Sequence, residues 1–201
     1  MMRRLLLERS VDKQRRIYRR LYERHGPGHR ALHWTSRANQ RRRFEALSRV
    51  GDLCGCRVLD LGCGLGDLLD FMLEETIACH YTGYDVVPEF IYQARRRFPG
   101  VCFEERNILV RPPACQFDYV FASGLFAFGS RLFLSEMLQA AYSLCDRAFA
   151  FNIHLPIHGD VRFLDISVEE VKRECQKLLP ERLVIHEGYL EQDVTFILYK
   201  Q

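Results

Sequence analysis

Three glycines at alternate positions, Gly62, Gly64 and Gly66, follow a short apolar segment and precede residues with helical spacing. Glycine lacks a Cβ and tolerates positive φ, so a ligand can approach the backbone of such a turn closely. The first N–H groups of the helix that follows have no intrahelical partners and point towards that ligand. Two acidic residues, Asp60 and Asp67, stand on either side of the turn. Carboxylates at these positions suit a ligand that carries positive charge and a free amino group.

A third acid, Asp85, ends the next predicted strand. A carboxylate at the end of that strand can accept hydrogen bonds from both hydroxyls of a ribose. The glycine spacing differs from the dinucleotide fingerprint G-x-G-x-x-G, whose third glycine would fall where this chain has Asp67. A carboxylate there disfavours a pyrophosphate, so the pattern argues against a dinucleotide.

At these residues the chain resembles the class I S-adenosylmethionine-dependent methyltransferases. The segment from Val58 to Gly66 is similar to their first motif, and the pair Tyr84-Asp85 to their second. The resemblance extends from about Arg57 to the C-terminus. It implies an α/β, Rossmann-like fold with a seven-stranded, mostly parallel sheet, in the order 3-2-1-4-5-7-6 with the last strand antiparallel, and helices on both faces. It also implies S-adenosylmethionine as the cofactor and S-adenosylhomocysteine as the product.

Apolar runs separated by turn residues predict the elements that must position this turn. After the strand that begins at Arg57, strands are predicted at residues 80–85, 101–105, 117–126, 147–155, 182–189 and 194–200. The last two strands are joined too closely for a crossover helix and must pair antiparallel. Helices are predicted from the glycine turn to about Glu75, from Pro88 to Arg97, over residues 131–145, and from a Ser167–Glu170 capping box to about Pro180.

Residues 1–50 are predicted to form an N-terminal helical cap, and residues 51–201 the S-adenosylmethionine-binding domain. Apolar residues recur with helical period over residues 2–24, which predicts an amphipathic helix laid on the domain. Ser36 or Thr35 is placed to cap a second helix.

In some methyltransferases of similar size, the segment before the first strand covers the cofactor. By that analogy Trp34, Gln40 and Arg43 line the site, and Arg43 pairs with the methionine carboxylate. The alternative is that Trp34 anchors the cap on the core and that the arginines are solvated. With these residues, the resemblance implies the following cofactor-binding set: Trp34, Gln40, Arg43, Asp60, Gly62, Cys63, Gly64, Gly66, Asp85, Val86, Asn107, Ile108, Ala122, Ser123 and Gly124.

One member of this set departs from the family pattern. Where this chain has Asn107, the family usually carries an acid that accepts a hydrogen bond from the adenine amino group, and the next backbone N–H serves a ring nitrogen. The amide oxygen of Asn107 keeps an acceptor at that position. The predicted strand over residues 117–126 looks like the fourth motif of the family, whose end lies beneath the transferred methyl group.

Methyl transfer from a sulfonium is an in-line displacement, and much of its catalysis can come from holding nucleophile, methyl group and sulfur in line. A general base is needed only when the acceptor arrives protonated. His154 and His158, after the fifth strand, are the predicted catalytic candidates, and His33 on the cap is a third. The alternative is that each of these histidines is structural or solvated.

Length and composition narrow the class of protein. A chain of 201 residues fits one domain with an added cap. The sequence contains no run of about 18 apolar residues, so no membrane span is predicted. The N-terminal apolar patch is too short for a secretory signal. The eight cysteines include no C-x-x-C pair and no paired Cys/His spacing, so no metal site is predicted. Scattered single cysteines indicate reduced thiols and a cytoplasmic location.

Charge is distributed unevenly along the chain. Residues 1–43 hold fourteen basic and three acidic residues, a net of +11, whereas the remainder has a net of −8. A basic segment favours nucleic acid or an acidic membrane surface, but acids interrupt this one. The Asn/Asp-Pro-Pro-aromatic motif of DNA amino-group methylases is absent from the sequence.

The sequence therefore predicts an S-adenosylmethionine-dependent methyltransferase that acts on a small-molecule or peptide acceptor. One alternative is a cofactor-binding module or an RNA-binding methyltransferase subunit that uses the basic N-terminal helix. Another is aminopropyl transfer, which shares the sheet but normally needs additional acids to hold a polyamine. The acceptor atom and the oligomeric state are not predicted.

Overall fold

Seven strands form one sheet in the computed structural model, which describes residues 2–34, 36–155 and 163–201. The first five strands pair parallel, and the last one is antiparallel to both of its neighbours. The strands lie in the order β3-β2-β1-β4-β5-β7-β6, which confirms the predicted topology. Their bounds are β1 Arg57–Leu61, β2 His80–Asp85, β3 Cys102–Glu105, β4 Phe117–Ser123, β5 Cys145–His154, β6 Arg182–Leu190 and β7 Asp193–Tyr199.

Helices lie on both faces of this sheet. Their bounds are α1 Met2–His25, α2 Arg37–Ser48, α3 Asp67–Glu74, α4 Pro88–Arg97, α5 Arg131–Leu144 and α6 Val168–Gln176. Side chains on the central strands alternate between the two faces, as the pleat requires. On β5, Phe149 and Phe151 enter the core that α5 and α6 cover, whereas Ala148 and Ala150 enter the core that α2, α3 and α4 cover. The central strands are therefore buried on both sides, which explains their long apolar runs.

Two helix starts predicted from the sequence are observed. The Ser36 hydroxyl accepts a hydrogen bond from the Asn39 N–H (3.1 Å) at the start of α2, while Thr35, the other candidate cap, lies outside the described residues. The Ser167 hydroxyl accepts from the Glu170 N–H (3.3 Å), and the Glu170 carboxylate accepts from the Ser167 N–H (2.9 Å). This reciprocal pair is the predicted capping box of α6.

Two predicted elements end earlier than expected. β4 stops at Ser123 because Gly124 has a left-handed φ of +74°, which an extended strand cannot include. α6 stops at Gln176, and Leu179 has a φ of +52° before the final hairpin begins. The early end of β4 matters for function, because the turn at Gly124 lies at the edge of the sheet where parallel strands bind ligands.

The two N-terminal helices both contact the sheet or its connecting turns. On α1, the Arg15 Nε donates to the Val86 carbonyl after β2 (2.8 Å), and the Tyr18 ring packs edge-on against Phe90 of α4. On α2, the Arg43 carbonyl accepts from the Asn152 amide at the end of β5 (3.5 Å). The division of the chain at residue 50 into a cap and a binding domain stays a prediction.

Within the described ranges, no helix combines the length and the apolar character needed to cross a membrane. The eight cysteines all fall in these ranges and are free thiols. Cys63 lies in the glycine turn, where burial raises the pKa of its thiol well above the usual value.

Candidate functional site

A pocket opens at the carboxyl ends of β1, β2, β3 and β4 and is covered by α1, α2 and the segment between them. This is the edge at which open parallel sheets bind their ligands. Most of the predicted cofactor-binding residues line it: Trp34, Gln40, Asp60, Gly62, Cys63, Asp85, Val86, Asn107, Ile108, Ser123 and Gly124.

The glycine turn connects β1 to α3. Gly62, Gly64 and Gly66 all have left-handed φ angles, between +54° and +80°. A Cβ on Gly64 would lie 2.7 Å from the Leu32 side chain of the cap, and α3 begins without a side-chain cap. Gly64 and Gly66 thus shape the turn but do not line the pocket. Ala122, which is fully buried in β4, does not line it either.

Asp85 connects the end of β2 to the glycine turn. Its Oδ2 accepts from the Gly64 N–H (2.9 Å), and its Oδ1 accepts from the Val87 N–H (2.8 Å). Burial raises the pKa of this carboxyl to about 6, and the backbone N–H donors moderate the increase. An ionised carboxylate offers about four lone-pair sites, so Asp85 keeps acceptor capacity for a ligand in the pocket.

The two acids beside the turn are in different electrostatic environments. Asp67 accepts from the Gln40 amide (2.9 Å) and forms an ion pair with Arg97 (2.5 Å). Asp60 accepts from the Tyr81 hydroxyl (2.6 Å), and no cation of the described residues forms an ion pair with it. Burial raises the pKa of Asp60 to about 7, although the Tyr81 hydrogen bond lowers it. Asp60 is therefore the acid of the turn that a cationic ligand would compensate.

Asn107 and Ile108 follow β3 on the other side of the pocket. The Asn107 Oδ1 accepts from the Leu109 N–H (3.0 Å), which fixes the side chain in a local turn. A carbonyl oxygen has two lone pairs, so this oxygen can accept one more hydrogen bond. Ile108 is buried and belongs to the same core as Tyr84.

A series of hydrogen bonds connects the end of β4 to the closing hairpin. The Ser123 hydroxyl donates to Asn152 Oδ1 (2.9 Å), and the Asn152 amide donates to the Thr195 hydroxyl (2.6 Å). Next along the chain, a Cβ on Gly124 would lie 2.7 Å from the Trp34 ring. Glycine is therefore required where the cap touches β4.

Arg43 does not line the pocket. One of its terminal nitrogens donates to Asp193 Oδ1 (2.6 Å), and its guanidinium carbon lies 4.2 Å from the centre of the Trp34 ring. The predicted partner of Arg43 was a methionine carboxylate, but its charge is already paired within the protein. Trp34 both lines the pocket and joins the cap to the core, so the two interpretations of this residue are compatible.

Of the predicted catalytic histidines, the two that the structure describes, His154 and His33, do not line the pocket. His154 lies at the end of β5, where its Nδ1 is 3.5 Å from Asp193 Oδ1. His33 packs edge-on against Phe128 and is likewise outside the lining. His158 lies outside the described residues.

α1 contributes to the pocket in a way that was not predicted from the sequence. Val11, Gln14 and Tyr18 line the pocket from one face of this helix. Their spacing of three and four residues is the helical repeat, and the apolar stripe predicted over residues 2–24 already included Val11. The sequence does not show that this stripe faces a ligand site. The only signal is that a glutamine, Gln14, and a tyrosine, Tyr18, interrupt its apolar character.

Comparisons with known proteins agree with this geometry. A protein-family profile described as a methyltransferase domain matches residues 59–148. Trans-aconitate 2-methyltransferase of Methylobacterium nodulans is 33% identical over 81 residues, which are 40% of this chain and 31% of the relative. The enzyme of the same name from Rhodopseudomonas palustris is 37% identical over 70 residues, 35% of this chain and 27% of the relative. The chain thus spans about a third of the length of these curated relatives.

Solved structures extend the likeness to the whole chain. Magnesium protoporphyrin IX methyltransferase from Synechocystis, crystallised with bound S-adenosylmethionine, has a TM-score of 0.67 and 15% identity, covering 99% of this chain and 97% of that one. A methyltransferase from Archaeoglobus fulgidus has a TM-score of 0.65 and 18% identity, covering 82% and 95%. At these identities the likeness concerns the fold. Residues 59–148 thus match a methyltransferase domain, and the fold is similar to that of solved methyltransferases, in agreement with the resemblance seen in the sequence.

Proposed function

We propose that this chain binds S-adenosylmethionine in the pocket at the ends of β1 to β4 and transfers its methyl group to a small-molecule or peptide acceptor. One observation carries the proposal. The Asp85 carboxylate is hydrogen-bonded to the Gly64 N–H of the glycine turn and lines the same pocket as Asp60, an acid that has no ion pair among the described residues. Asp85 would then accept from the ribose and Asp60 would be the partner for positive charge, next to a turn in which every second residue is glycine.

The residues of the pocket fit the cofactor in its separate parts. Asp85 would accept from the ribose hydroxyls, and Asp60 would compensate the positive charge of the amino acid end. Val86 and Ile108 would enclose the adenine, and Asn107 would accept from its amino group. Because Arg43 is paired with Asp193, we assign the methionine carboxylate to the free N–H groups at the start of α3 instead.

When bound, S-adenosylmethionine supplies a methyl group activated by an adjacent sulfonium. The protein's contribution is to bind the cofactor and the acceptor, to orient them and to exclude water. Trp34 and Tyr18 cover the pocket at Gly124, the end at which the acceptor would enter. An acceptor that arrives deprotonated, such as a carboxylate, needs no general base, which agrees with the position of His154 and His33 away from the pocket wall.

The size of the site favours a small acceptor. Apolar side chains of α4 and α5, among them Phe90, Phe133 and Met137, close the pocket on two sides. The curated relatives are named for trans-aconitate, a small molecule, which supports the same class for this chain. We also propose that residues 1–50 act as the cap that covers the cofactor.

The proposal is tested by calorimetry with S-adenosylhomocysteine and by transfer from labelled S-adenosylmethionine to a panel of small acids and peptides. Stoichiometric binding and label in a small product are expected. Gly64→Val should abolish binding with near-native circular dichroism, since the side chain would meet Leu32. Gly100→Val is the matched control, because Gly100 also has positive φ but open space around it. Equal binding by both variants, or none by the natural chain, would refute the proposed function.

A second candidate is RNA binding through α1. Arg9, Lys13, Arg16, Arg20 and Arg24 are all exposed, and their spacing places them on the face opposite Val11 and Gln14. Such a stripe favours a polyanion. Because α1 also covers the pocket, the test is substitution of these five residues by glutamine rather than truncation. A salt-dependent RNA shift that the variant loses, with cofactor binding kept, would support this candidate; no shift with the natural chain would remove it.

A further inference from the structure

A glutamine on α1 has an unpaired amide inside the pocket. Gln14 is only 5% exposed, it lines the pocket, and its Nε2 has no hydrogen-bond partner among the described residues. Buried polar atoms in folded proteins are nearly always hydrogen-bonded, so an exception calls for an explanation. An unpaired donor that faces a ligand pocket is explained most directly by a ligand that accepts from it.

The neighbours of Gln14 indicate which part of the pocket it faces. Val11, one turn earlier on α1, belongs to the same core as Ile108 and Tyr84. Arg15, the next residue, donates its Nε to the Val86 carbonyl (2.8 Å). This part of α1 is therefore fastened to the ends of β2 and β3, where the proposed adenine site lies.

The next turn of α1 lies at the other end of the pocket. The Tyr18 hydroxyl is 3.5 Å from the Gly124 carbonyl, and its ring packs edge-on against Phe128. α1 thus runs across the pocket from the adenine end to the end of β4, where the methyl group would lie. Gln14 lies on the adenine side of Tyr18, which favours the cofactor over the acceptor as its partner.

We propose that Gln14 is a specificity-determining residue that donates a hydrogen bond from its amide to a ring nitrogen of the cofactor's adenine. This inference rests on the proposed function, in which the pocket holds S-adenosylmethionine. Asn107 and the Ile108 N–H are assigned to the amino group and the adjacent ring nitrogen. The acceptors left on adenine are N3 and N7, and Gln14 takes one of them.

A consequence follows for the chain without ligand. There the unpaired amide is unfavourable, since a buried donor is desolvated with nothing in return. Replacing Gln14 by methionine, which has similar size and no donor, should raise the melting temperature of the free chain while it weakens cofactor binding. If Gln14 only packed the cap against the domain, its substitution would lower both the melting temperature and the affinity for the cofactor.

The decisive experiment is calorimetric titration with S-adenosylhomocysteine and with its 3-deaza and 7-deaza analogues. For the natural chain, we expect one analogue to bind about tenfold more weakly than the parent, the size of one well-placed hydrogen bond to a buried donor. Gln14→Met should bind the parent compound about tenfold more weakly. It should not distinguish that analogue from the parent, because the two changes remove the same contact.

Gln93→Met is the matched control. The Gln93 amide already donates to the Tyr22 hydroxyl of α1 (3.0 Å), and Gln93 does not line the pocket. Its variant should keep the affinity of the natural chain for the parent and the same penalty for the analogue. If Gln14→Met does not fold, Gln14→Glu replaces the donor by an acceptor at the same size and is titrated in the same way.

The outcomes separate this inference from the proposed function. Failure of the natural chain to bind S-adenosylhomocysteine would overturn the proposed function and the inference with it. Binding by the natural chain with unchanged affinity in Gln14→Met would overturn the inference alone. So would an equal penalty for the deaza analogue in both proteins, because the ring nitrogen would then be read by another group.

Discussion

One terminal nitrogen of Arg43 lies 2.6 Å from Oδ1 of Asp193, joining residues that are 150 positions apart in the chain. Both side chains are almost fully buried, 10% and 5% exposed. The ion pair fastens α2, in the N-terminal cap, to the first residue of β7. Because the same guanidinium stacks on Trp34, this contact also supports one wall of the pocket.

Breaking this ion pair from one side should be costly. In Asp193→Asn the Arg43 charge stays buried without its partner, and we expect a loss of about 3–5 kcal/mol in the free energy of unfolding. Urea denaturation followed by circular dichroism measures it. Asp146→Asn is the control, because Asp146 pairs with Arg57 at an exposed site and should cost no more than about 1 kcal/mol. Equal losses in the two variants would contradict the structural role of the buried pair.

Trp34 reports on the contact between the cap and β4. It is the only tryptophan of the chain, so the protein's indole fluorescence comes from this wall of the pocket. In Gly124→Ala a Cβ would lie 2.7 Å from the ring, at a residue with φ of +74°. We expect Trp34 to be displaced towards solvent, with a red-shifted emission and weaker binding of S-adenosylhomocysteine.

The control for this substitution is Gly188→Ala. Gly188 has a similar φ of +78°, but nothing lies within 4 Å of its Cβ position. Backbone strain is then common to both variants, and the steric clash is confined to Gly124→Ala. A red shift of equal size in both proteins would show that strain, rather than the contact with Trp34, moves the ring.

Some contacts of the fold and of the candidate site are local enough to be predicted from the sequence. The glycine turn, Asp85 and the Ser167 cap depend on residues within a few positions of one another or at the ends of adjacent strands. Their spacing therefore predicts them, as it predicts the strand order through the closing hairpin. A one-dimensional pattern contains this information because backbone geometry fixes the distances.

Other parts of the site depend on packing between distant segments. Arg43 was assigned to a ligand by analogy, but its partner Asp193 stands in a hairpin that the sequence gives no reason to connect with α2. In the sequence, nothing distinguishes Gln14 from the other polar residues of a basic helix. Only the placement of α1 across the ends of β2 and β4 makes its buried amide informative.

Removing the charge of Asp85 should weaken cofactor binding without unfolding the chain. Asp85→Asn keeps one carbonyl oxygen but loses the charged acceptor, and a hydrogen bond to a charged group contributes about 1.5–3 kcal/mol. We therefore expect about 10- to 100-fold weaker binding of S-adenosylhomocysteine by calorimetry. Glu105→Gln is the control, since Glu105 ends the adjacent strand but does not line the pocket. Unchanged affinity in Asp85→Asn would remove this residue from the site.

The two buried acids predict opposite effects of pH on stability and on binding. Burial raises the pKa of Asp85 to about 6 and of Asp60 to about 7, above the ordinary value near 3.9 for aspartate. Each group therefore stabilises the free chain when it is protonated. That stabilisation is complete below about pH 4, and it is lost as the pH rises through 6 and 7. These two groups should therefore lower the melting temperature of the free chain as the pH rises from about 4 to 7.

Ligand binding should change in the other direction, because the ionised carboxylates are the better acceptors for the ribose hydroxyls and the better partners for the ligand's ammonium group. The affinity for S-adenosylhomocysteine should rise from pH 5 to pH 7.5 and then level off. Asp60→Asn isolates the group with the higher pKa. At pH 8 this variant should melt at a higher temperature than the natural chain, because the variant lacks the buried charge that Asp60 carries at that pH. Its affinity should level off nearer pH 6, the pKa of Asp85. A natural chain whose affinity is flat over this range would show that neither carboxyl changes protonation when the ligand binds.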